Sequence, residues 1–252
     1  PQEVCEYHTP GSVLDVFVSG YYAYVADGDS GLRIIDISIP SSPQEIGYYL
    51  TTDSVLSVFV SGTYAYLAEG SSGLRIIDIS NPSYPEEIGY YDTPGYAQNL
   101  YMSGNYADVA EGDFGLRNID ISTPSSPREV AHYNVLGYVK DVFVTGNYAY
   151  VADVFKGIRI LDVSDPYSPE EIGYYNPVGS YFCPQDVFVT GDYACVADGL
   201  KGLSIIDISD PSSPWEVGYY DTPHYAHSVF VSGNYACVAD EIAGVRIIKI
   251  AP

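Results

Sequence analysis

The chain has 252 residues, of which 46% are hydrophobic and 17% charged, and its formal net charge at pH 7 is −23. This is the composition of a globular protein, and no apolar run approaches the roughly 18 residues that a membrane-spanning helix needs. A surface this acidic repels nucleic-acid phosphates and anionic lipids, so we expect neither nucleic-acid binding nor membrane insertion.

The phrase GLRIIDIS at residues 31–38 occurs six times along the chain in similar form, which indicates a repeat protein. Aligned on the proline that opens segments such as PQEIGYY, the repeat units start at Pro1, Pro43, Pro85, Pro127, Pro169 and Pro214. The first four steps are 42 residues each and the fifth is 45, with the excess in the segment NPVGSYFCPQD. A period of about 40–45 residues is typical of a β-propeller blade.

Within one unit, four segments follow one another in the order PQEIGYY, SVLSVFVSG, TYAYLAEG and GLRIIDISNP. Each is rich in β-branched and aromatic residues and is bounded by Gly, Pro, Ser or Asn, which predicts four short strands. The sequence therefore predicts an all-β fold, a six-bladed β-propeller with four antiparallel strands per blade, as a single domain over residues 1–252. We expect residues 2–7 to supply the outermost strand of the last blade and so to close the ring.

The pattern GNYAYVADG…GLRIIDISDPSSP resembles the LVIVD repeat of bacterial and archaeal surface or secreted proteins, and the resemblance covers all 252 residues. It implies a β-propeller outside the cell and brings no shared catalytic motif with it. We therefore expect an extracellular or cell-surface module that acts without catalysis, in adhesion or assembly. Its partner is expected to be a protein, a second copy of the chain, or a glycan.

Three columns of the aligned units carry charge. An aspartate follows the last strand of five units, where it can form an Asx turn: Asp36, Asp78, Asp120, Asp162 and Asp207. A second column is acidic in all six units: Asp27, Glu69, Glu111, Asp153, Asp198 and Asp240. Arginine lies six positions later in five units, which predicts ion pairs across one hairpin. In the fifth unit Ser204 replaces this arginine, so Asp198 is predicted to be unpaired.

Polar residues also form a column on the innermost strands, at Asp15, Ser57, Asn99, Asp141, Asp186 and Ser228. Carboxylate and amide oxygens of this kind suit Ca²⁺, for which Asp15, Asp141 and Asp186 are the candidate ligands. A hydrated channel is the alternative interpretation, because repetition by itself produces a ring of similar residues. No other cofactor is expected.

Three of the four histidines, His8, His224 and His227, fall in two loops that would be neighbours in a closed ring. Three imidazoles could hold Zn²⁺ or transfer protons, whereas solvated loop histidines are the alternative.

Departures from the repeat gather in the fifth and sixth units, which contain the insertion, the lost arginine and two of these histidines. We predict the binding surface there, with Tyr181 and Tyr225 as aromatic anchors, Asp198 and His227 as polar contacts, and His224 and His8 beside them.

Two other functions fit parts of the sequence. A carbohydrate-binding module needs exposed tyrosines in rows, and the chain has 27 tyrosines but one tryptophan. A metal-dependent hydrolase or lactonase needs carboxylates and histidines around one cation at the channel mouth.

Overall fold

The computed structural model describes residues 4–135, 137–177 and 182–250. Its secondary structure consists of β-strands and one short 3-10 turn, Glu241–Ala243. Among the described residues, no helix has the length and apolar character needed to cross a lipid bilayer.

The strands form six antiparallel sheets, each of which follows chain order. The first contains β1 (Asp15–Ser19), β2 (Tyr22–Ala26), β3 (Leu32–Asp36) and β4 (Gln44–Tyr49). The second contains β5 (Ser57–Ser61), β6 (Tyr64–Glu69), β7 (Gly73–Asp78) and β8 (Glu86–Tyr91). The third contains β9 (Asn99–Ser103), β10 (Tyr106–Ala110), β11 (Leu116–Asp120) and β12 (Arg128–Tyr133).

The remaining sheets repeat this order. The fourth contains β13 (Val139–Thr145), β14 (Tyr148–Asp153), β15 (Gly157–Asp162) and β16 (Glu170–Tyr175). The fifth contains β17 (Asp186–Thr190), β18 (Tyr193–Ala197), β19 (Leu203–Asp207) and β20 (Trp215–Tyr220). The sixth has three strands among the described residues, β21 (Ala226–Ser232), β22 (Tyr235–Asp240) and β23 (Val245–Lys249).

The first two strands of a sheet are joined by a tight turn. In the second sheet, Ser61 pairs with Tyr64, and Gly62 between them has a φ of 61°, which glycine adopts without strain. The S-G-x-Y motif of the sequence therefore sets the register of the hairpin. Side chains alternate along β5, so that Val58 and Val60 are buried on one face.

The chain divides into two compact units, Pro1–Glu111 with Asn118–Glu129, and Gly112–Arg117 with Val130–Pro252. The prediction of a single domain over residues 1–252 stays a prediction.

Inside each unit, neighbouring sheets pack face to face through apolar side chains. In the first unit, Val58 of β5 lies in one cluster with Leu32 and Ile34 of the first sheet. In the second unit, Val187 of β17 lies in one cluster with Ile160 of the fourth sheet. A single four-stranded sheet cannot cover both of its faces, and the repeats supply that cover to one another.

The glycine of each E-I-G-Y-Y segment permits a close approach between sheets. A Cβ added at Gly47 of β4 would lie 2.0 Å from the carbonyl oxygen of Pro82, in the turn before β8. The same distance separates a Cβ at Gly173 from the carbonyl oxygen of Pro211. The turn of one sheet therefore lies directly on the fourth strand of the sheet before it. Nothing among the described residues lies within 4 Å of a Cβ at Gly218.

The segment predicted to close the ring is described only in part, because residues 1–3 lie outside the described residues. Residues 4–7 are exposed and belong to no strand. The structure therefore does not show residues 2–7 as the fourth strand of the sixth sheet, and this pairing stays a prediction.

Candidate functional site

The aspartates after the third strands form the predicted Asx turns. In all five, one carboxylate oxygen accepts a hydrogen bond from the N–H two residues later, as Asp36 does from Ser38 at 2.8 Å. Hydrogen bonds from Ser38 lower the pKa of Asp36, as expected for a carboxylate held by donors. This column serves the fold.

In five of the hairpins between second and third strands, a buried carboxylate holds the loop before the first strand. In the second sheet, Glu69 Oε1 accepts hydrogen bonds from the backbone N–H groups of Thr52 and Asp53, both at 2.7 Å. Four other acids of this column each accept a hydrogen bond from a backbone N–H: Asp27 from Gly11, Asp153 from Tyr138, Asp198 from Cys183 and Asp240 from His224. Loop and hairpin therefore share one edge of the sheet, and these carboxylates join them.

The predicted arginine–carboxylate pairs include Arg33–Asp27 at 3.6 Å, Arg75–Glu69 at 2.8 Å and Arg246–Asp240 at 3.3 Å. The fourth sheet differs, because Asp153 Oδ1 accepts three backbone N–H groups and Arg159 pairs with Glu171 at 3.1 Å. Arg159 Nε and Asp153 Oδ2 are buried without a hydrogen-bond partner among the described residues.

The prediction that Asp198 is unpaired is wrong. Ser204 Oγ donates to Asp198 Oδ2 at 3.0 Å, and Lys201 Nζ lies 3.8 Å from the same oxygen. Lys201 also forms an ion pair with Glu216 and lies over the ring of Tyr219, 5.3 Å from its centroid. A lysine from the hairpin thus supplies the cation that Ser204 does not.

Burial raises the pKa of Asp198 to about 6, although hydrogen bonds from Cys183 and Ser204 and the charge of Lys201 oppose this rise. A carboxyl group in this range suits general acid–base chemistry. Asp198 is nevertheless fully buried and both of its oxygens accept hydrogen bonds, so the geometry favours a structural role.

A second buried acid interrupts the core of the third sheet. Asn118 Nδ2 donates to Asp108 Oδ1 at 2.9 Å, at positions where the second sheet has Tyr66 and Ile76. Burial raises the pKa of Asp108 to about 6, although the hydrogen bond from Asn118 lowers it. Asn118 Oδ1 has no hydrogen-bond partner among the described residues. Both side chains are buried, so this pair bears on stability.

The predicted anchor Tyr225 packs against a glycine of the preceding hairpin. A Cβ added at Gly199 would lie 3.0 Å from the Tyr225 ring, and the same distance separates a Cβ at Gly70 from the ring of Tyr96. Tyr225 and its repeat equivalent Tyr96 therefore share one packing role.

Tyr225 also has neighbours in the loop before β17 and in β21. Tyr225 Oη lies 3.5 Å from Cys183 Sγ, and the ring of His227 lies 4.8 Å from that of Tyr225. Gln185 Nε2 donates to the carbonyl oxygen of Cys183 at 3.0 Å. The structure thus brings Tyr225, His227 and the loop bound to Asp198 together. Tyr181, the other predicted anchor, lies outside the described residues.

The other predicted histidines have different surroundings. His224 donates its backbone N–H to Asp240, and His8 is exposed, with Nε2 3.5 Å from Glu6 Oε1. Among residues 4–135, 137–177 and 182–250, no three His, Cys, Asp or Glu side chains are arranged to hold a metal ion. The Zn²⁺ interpretation therefore has no geometric support within the described chain.

The inner-strand aspartates proposed for Ca²⁺ bind backbone amides of the next sheet. Asp15 Oδ2 accepts the N–H of Val58 at 2.9 Å, Asp141 Oδ2 that of Val187 at 2.9 Å, and Asp186 Oδ2 that of Val229 at 2.7 Å. Burial and the neighbouring Asp186 raise the pKa of Asp141 well above its ordinary value. These contacts give the column a structural role, and Ca²⁺ binding stays a prediction.

Exposed tyrosines recur at one position of the fourth strands, which the sequence alone does not indicate. The first tyrosine of E-I-G-Y-Y is more than half exposed in four sheets: Tyr48 55%, Tyr90 55%, Tyr174 58% and Tyr219 63%. A cation lies about 5 Å from each ring centroid: Arg33, Arg75, Arg159 and Lys201, in the same order. The second tyrosine turns the other way, and Tyr49 donates from its hydroxyl to Glu87 at 3.0 Å. The repeated YY dipeptide is the sequence signal for these exposed tyrosines, but the dipeptide alone does not indicate which of its two rings is exposed.

Two of the surface grooves that contain these tyrosines are similar, whereas the groove at Tyr90 has a different lining. The first outer groove, of about 510 Å³, is lined by Glu45, Ile46, Gly47, Tyr48, Ser83, Tyr84, Pro85 and Glu86. The second outer groove, of about 520 Å³, is lined by Glu171, Ile172, Gly173, Tyr174, Tyr175, Asn176, Pro177, Ser212, Ser213 and Pro214. They occupy the same place in the repeat, one in each compact unit.

Comparison with solved structures identifies the fold. The β-propeller domain of Cps50 (Swd1) from Myceliophteria thermophila superposes with a TM-score of 0.78 at 13% identity, covering 95% of this chain and 84% of that one. The computationally designed protein Ika8 gives 0.74 at 10% identity, covering 94% and 71%. A functionally unknown protein from Desulfotomaculum acetoxidans gives 0.72 at 15% identity, covering 96% and 86%. The fold is a six-bladed β-propeller with antiparallel four-stranded blades.

The family model of the LVIVD repeat matches six consecutive segments, at residues 10–51, 54–93, 94–135, 136–177, 184–222 and 223–251. No curated protein matches the chain. The six matches account for nearly the whole sequence and coincide with the six sheets. The chain belongs to the LVIVD-repeat family.

Proposed function

We propose that the chain is an extracellular or cell-surface binding module that holds its partners without converting them. The observation that carries this proposal is the set of exposed tyrosines at one position of four sheets. A cation lies about 5 Å from the centroid of each ring. Rigid aromatic rings with one open side contribute much of the contact energy at binding surfaces, at a small cost in entropy.

The polar residues support the same proposal. Carboxylates of the hairpins and inner strands are bonded to backbone amides, so these groups already have structural partners. A catalytic acid or base must instead reach its substrate directly or through one water. The extracellular location is supported by the acidic surface, with a net charge of −23, and by the resemblance to surface proteins.

The surface around Tyr225 and His227, with His224 and the loop bound to Asp198 nearby, is a second place for a partner, and a contribution from His8 stays a prediction. His227 is exposed beside the Tyr225 ring, which gives this edge one aromatic and one polar group. Protein partners, self-assembly and glycans remain the candidate classes.

A combined binding and turnover screen tests the proposal. The full chain is heated with neutral oligosaccharides, peptides, Ca²⁺ or Zn²⁺, and separately incubated with chromogenic esters, lactones and phosphates. A ligand of the folded state raises the melting temperature by mass action, and we expect such a rise without turnover of any substrate. Turnover that disappears in the Asp198→Asn variant would contradict a non-catalytic role.

A further inference from the structure

We propose that the two outer grooves are saccharide-binding sites, each of which takes a short stretch of a neutral glycan. This inference rests on the proposed binding function and names the ligand class. It concerns the groove of about 510 Å³ beside Tyr48 and the groove of about 520 Å³ beside Tyr174.

Both grooves are built in the same way. The carbonyl oxygen of Pro82 approaches Gly47, and that of Pro211 approaches Gly173, so the turn of the next sheet forms one wall on the fourth strand. The fourth strand supplies a glutamate, an isoleucine, the glycine and the exposed tyrosine to each groove. A saccharide therefore meets the same four fourth-strand residue types in both grooves, whereas the rest of the lining differs between them.

The tyrosine rings offer a fixed stacking surface. The guanidinium carbon of Arg33 lies 5.0 Å from the Tyr48 ring centroid, and that of Arg159 lies 5.0 Å from the Tyr174 ring centroid. Each arginine covers one side of its ring, and more than half of each tyrosine is still exposed. The C–H face of a pyranose ring packs on such an open aromatic face, which is apolar and needs no charge on the ligand.

The groups around each ring favour hydroxyl ligands. Glu45 lies 3.4 Å from Arg33 Nη1 and Glu171 lies 3.1 Å from Arg159 Nη1, so both carboxylates are held in place. Glu171 also accepts from the Tyr133 hydroxyl, and a carboxylate has about four acceptor sites. Serine residues lie in the opposite walls. Sugar hydroxyls both donate and accept, which matches carboxylates and serines together. A proline-rich peptide presents carbonyl acceptors and few donors, so the carboxylates would gain nothing from it.

Charge and size exclude other ligands. A net charge of −23 and the glutamates in the grooves disfavour phosphorylated, sulfated or nucleic-acid ligands. The volumes fall in the range of roughly 300–1,000 Å³ that is usual for small-molecule sites, far below a surface for a folded partner.

The test uses the full chain and calorimetric titration with neutral hexasaccharides of glucose, mannose, xylose and N-acetylglucosamine, beside a proline-rich peptide and an oligolysine peptide. Variants are Tyr48→Ala, Tyr174→Ala and the double variant. The matched control is Tyr21→Ala, because Tyr21 is exposed, lies in the turn between β1 and β2, and lines neither outer groove. Circular dichroism and melting temperature establish that each variant is folded.

We expect one hexasaccharide to bind at about two sites per chain, each single variant to lose about one site, and the double variant to bind about tenfold more weakly or not at all. Tyr21→Ala should bind like the parent. Binding by the double variant as tight as that of the parent, binding of either peptide alone, or no saccharide binding at millimolar concentration overturns the inference. If saccharides fail while a ligand of the wider screen raises the melting temperature, the saccharide inference fails and the proposed binding function stands; if no ligand of either screen binds, both fail.

Discussion

The hairpins of the second and fifth sheets perform the same task with different residues. In the second sheet, Arg75 pairs with the carboxylate of Glu69, which holds the loop before β5. In the fifth sheet, the acid is Asp198, the arginine position holds Ser204, and Lys201 reaches in from the hairpin. A departure from the repeat can thus be compensated locally, and by itself it does not mark a binding site.

The two hairpins nevertheless differ in electrostatics. Arg75 Nε makes a direct 2.8 Å contact to Glu69, whereas Lys201 Nζ lies 3.8 Å from Asp198 and is closer to Glu216. Consistent with this weaker partner, burial outweighs the attraction of Lys201 and raises the pKa of Asp198 to about 6. The fifth hairpin keeps the geometry of the repeat with a less well stabilised charge.

The largest expected effect comes from removing the acid of the regular hairpin. Glu69→Ala removes the acceptor of two loop amides and of Arg75 Nε, and it leaves the largely buried Arg75 with the exposed Asp92 at 3.1 Å, so we expect a loss of about 3–5 kcal/mol in unfolding free energy. Urea denaturation followed by circular dichroism measures it. Asp198→Ala should cost less, because Lys201 keeps Glu216 as partner. Equal losses would show that the two hairpins are equivalent.

The raised pKa of Asp198 predicts a pH dependence. The folded state holds the proton up to about pH 6, whereas the unfolded chain releases it near the ordinary value of 3.8. Stability therefore falls as pH rises from about 4 to about 6, by at most on the order of 3 kcal/mol from this group. Asp198→Asn should flatten the curve of unfolding free energy between these values. An unchanged slope in Asp198→Asn would contradict the raised pKa of Asp198. Asp108→Asn serves as the comparison, because the pKa of Asp108 is also raised to about 6.

In the third sheet, Asp108 and Asn118 depart from the repeat, and Asn118 Oδ1 has no hydrogen-bond partner among the described residues. Replacing Asp108 by Tyr together with Asn118 by Ile restores the residues of the second sheet, and we expect a gain of about 1–2 kcal/mol. Differential scanning calorimetry measures the rise in melting temperature. Asp108→Tyr alone should destabilise, because Asn118 then loses its hydrogen bond. A double variant less stable than the parent would mean that the pair is better accommodated than its geometry indicates.

The smallest effect is expected from replacing the lysine of the fifth hairpin by an arginine at the position that Arg75 has in the second. Lys201→Ser alone removes the cation near Asp198 and should cost about 1–2 kcal/mol. Adding Ser204→Arg rebuilds the hairpin of the second sheet, and the double variant should return to within about 1 kcal/mol of the parent. Chemical denaturation of the three proteins measures this coupling. No recovery in the double variant would show that the fifth loop requires lysine.

The strands could be predicted because their signals are local and repeated six times. Alternating apolar residues define β5, and Gly62 marks its turn, whatever the rest of the chain does. The fourth strand of the last sheet depends instead on pairing between distant segments, and sequence alone does not establish that.

The candidate sites were harder to predict because they depend on the direction and reach of side chains. Aligned columns compare Ser204 with Arg75 but miss that the long side chain of Lys201 reaches the same carboxylate. Adjacent tyrosines such as Tyr48 and Tyr49 are alike in sequence, and only the strand register shows that Tyr48 is the one outside. The outer grooves also need a turn from the following sheet, about 40 residues later in sequence.

The carboxylate contacts have a consequence for the order in which the chain folds. Hairpin acids bind amides 15 to 17 residues earlier, so a repeat can close its own loop soon after it leaves the ribosome. Inner-strand acids bind groups 42 to 46 residues later, so each must wait for the next repeat to be synthesised. We therefore expect the chain to fold during translation in steps of one repeat, from the first sheet towards the last.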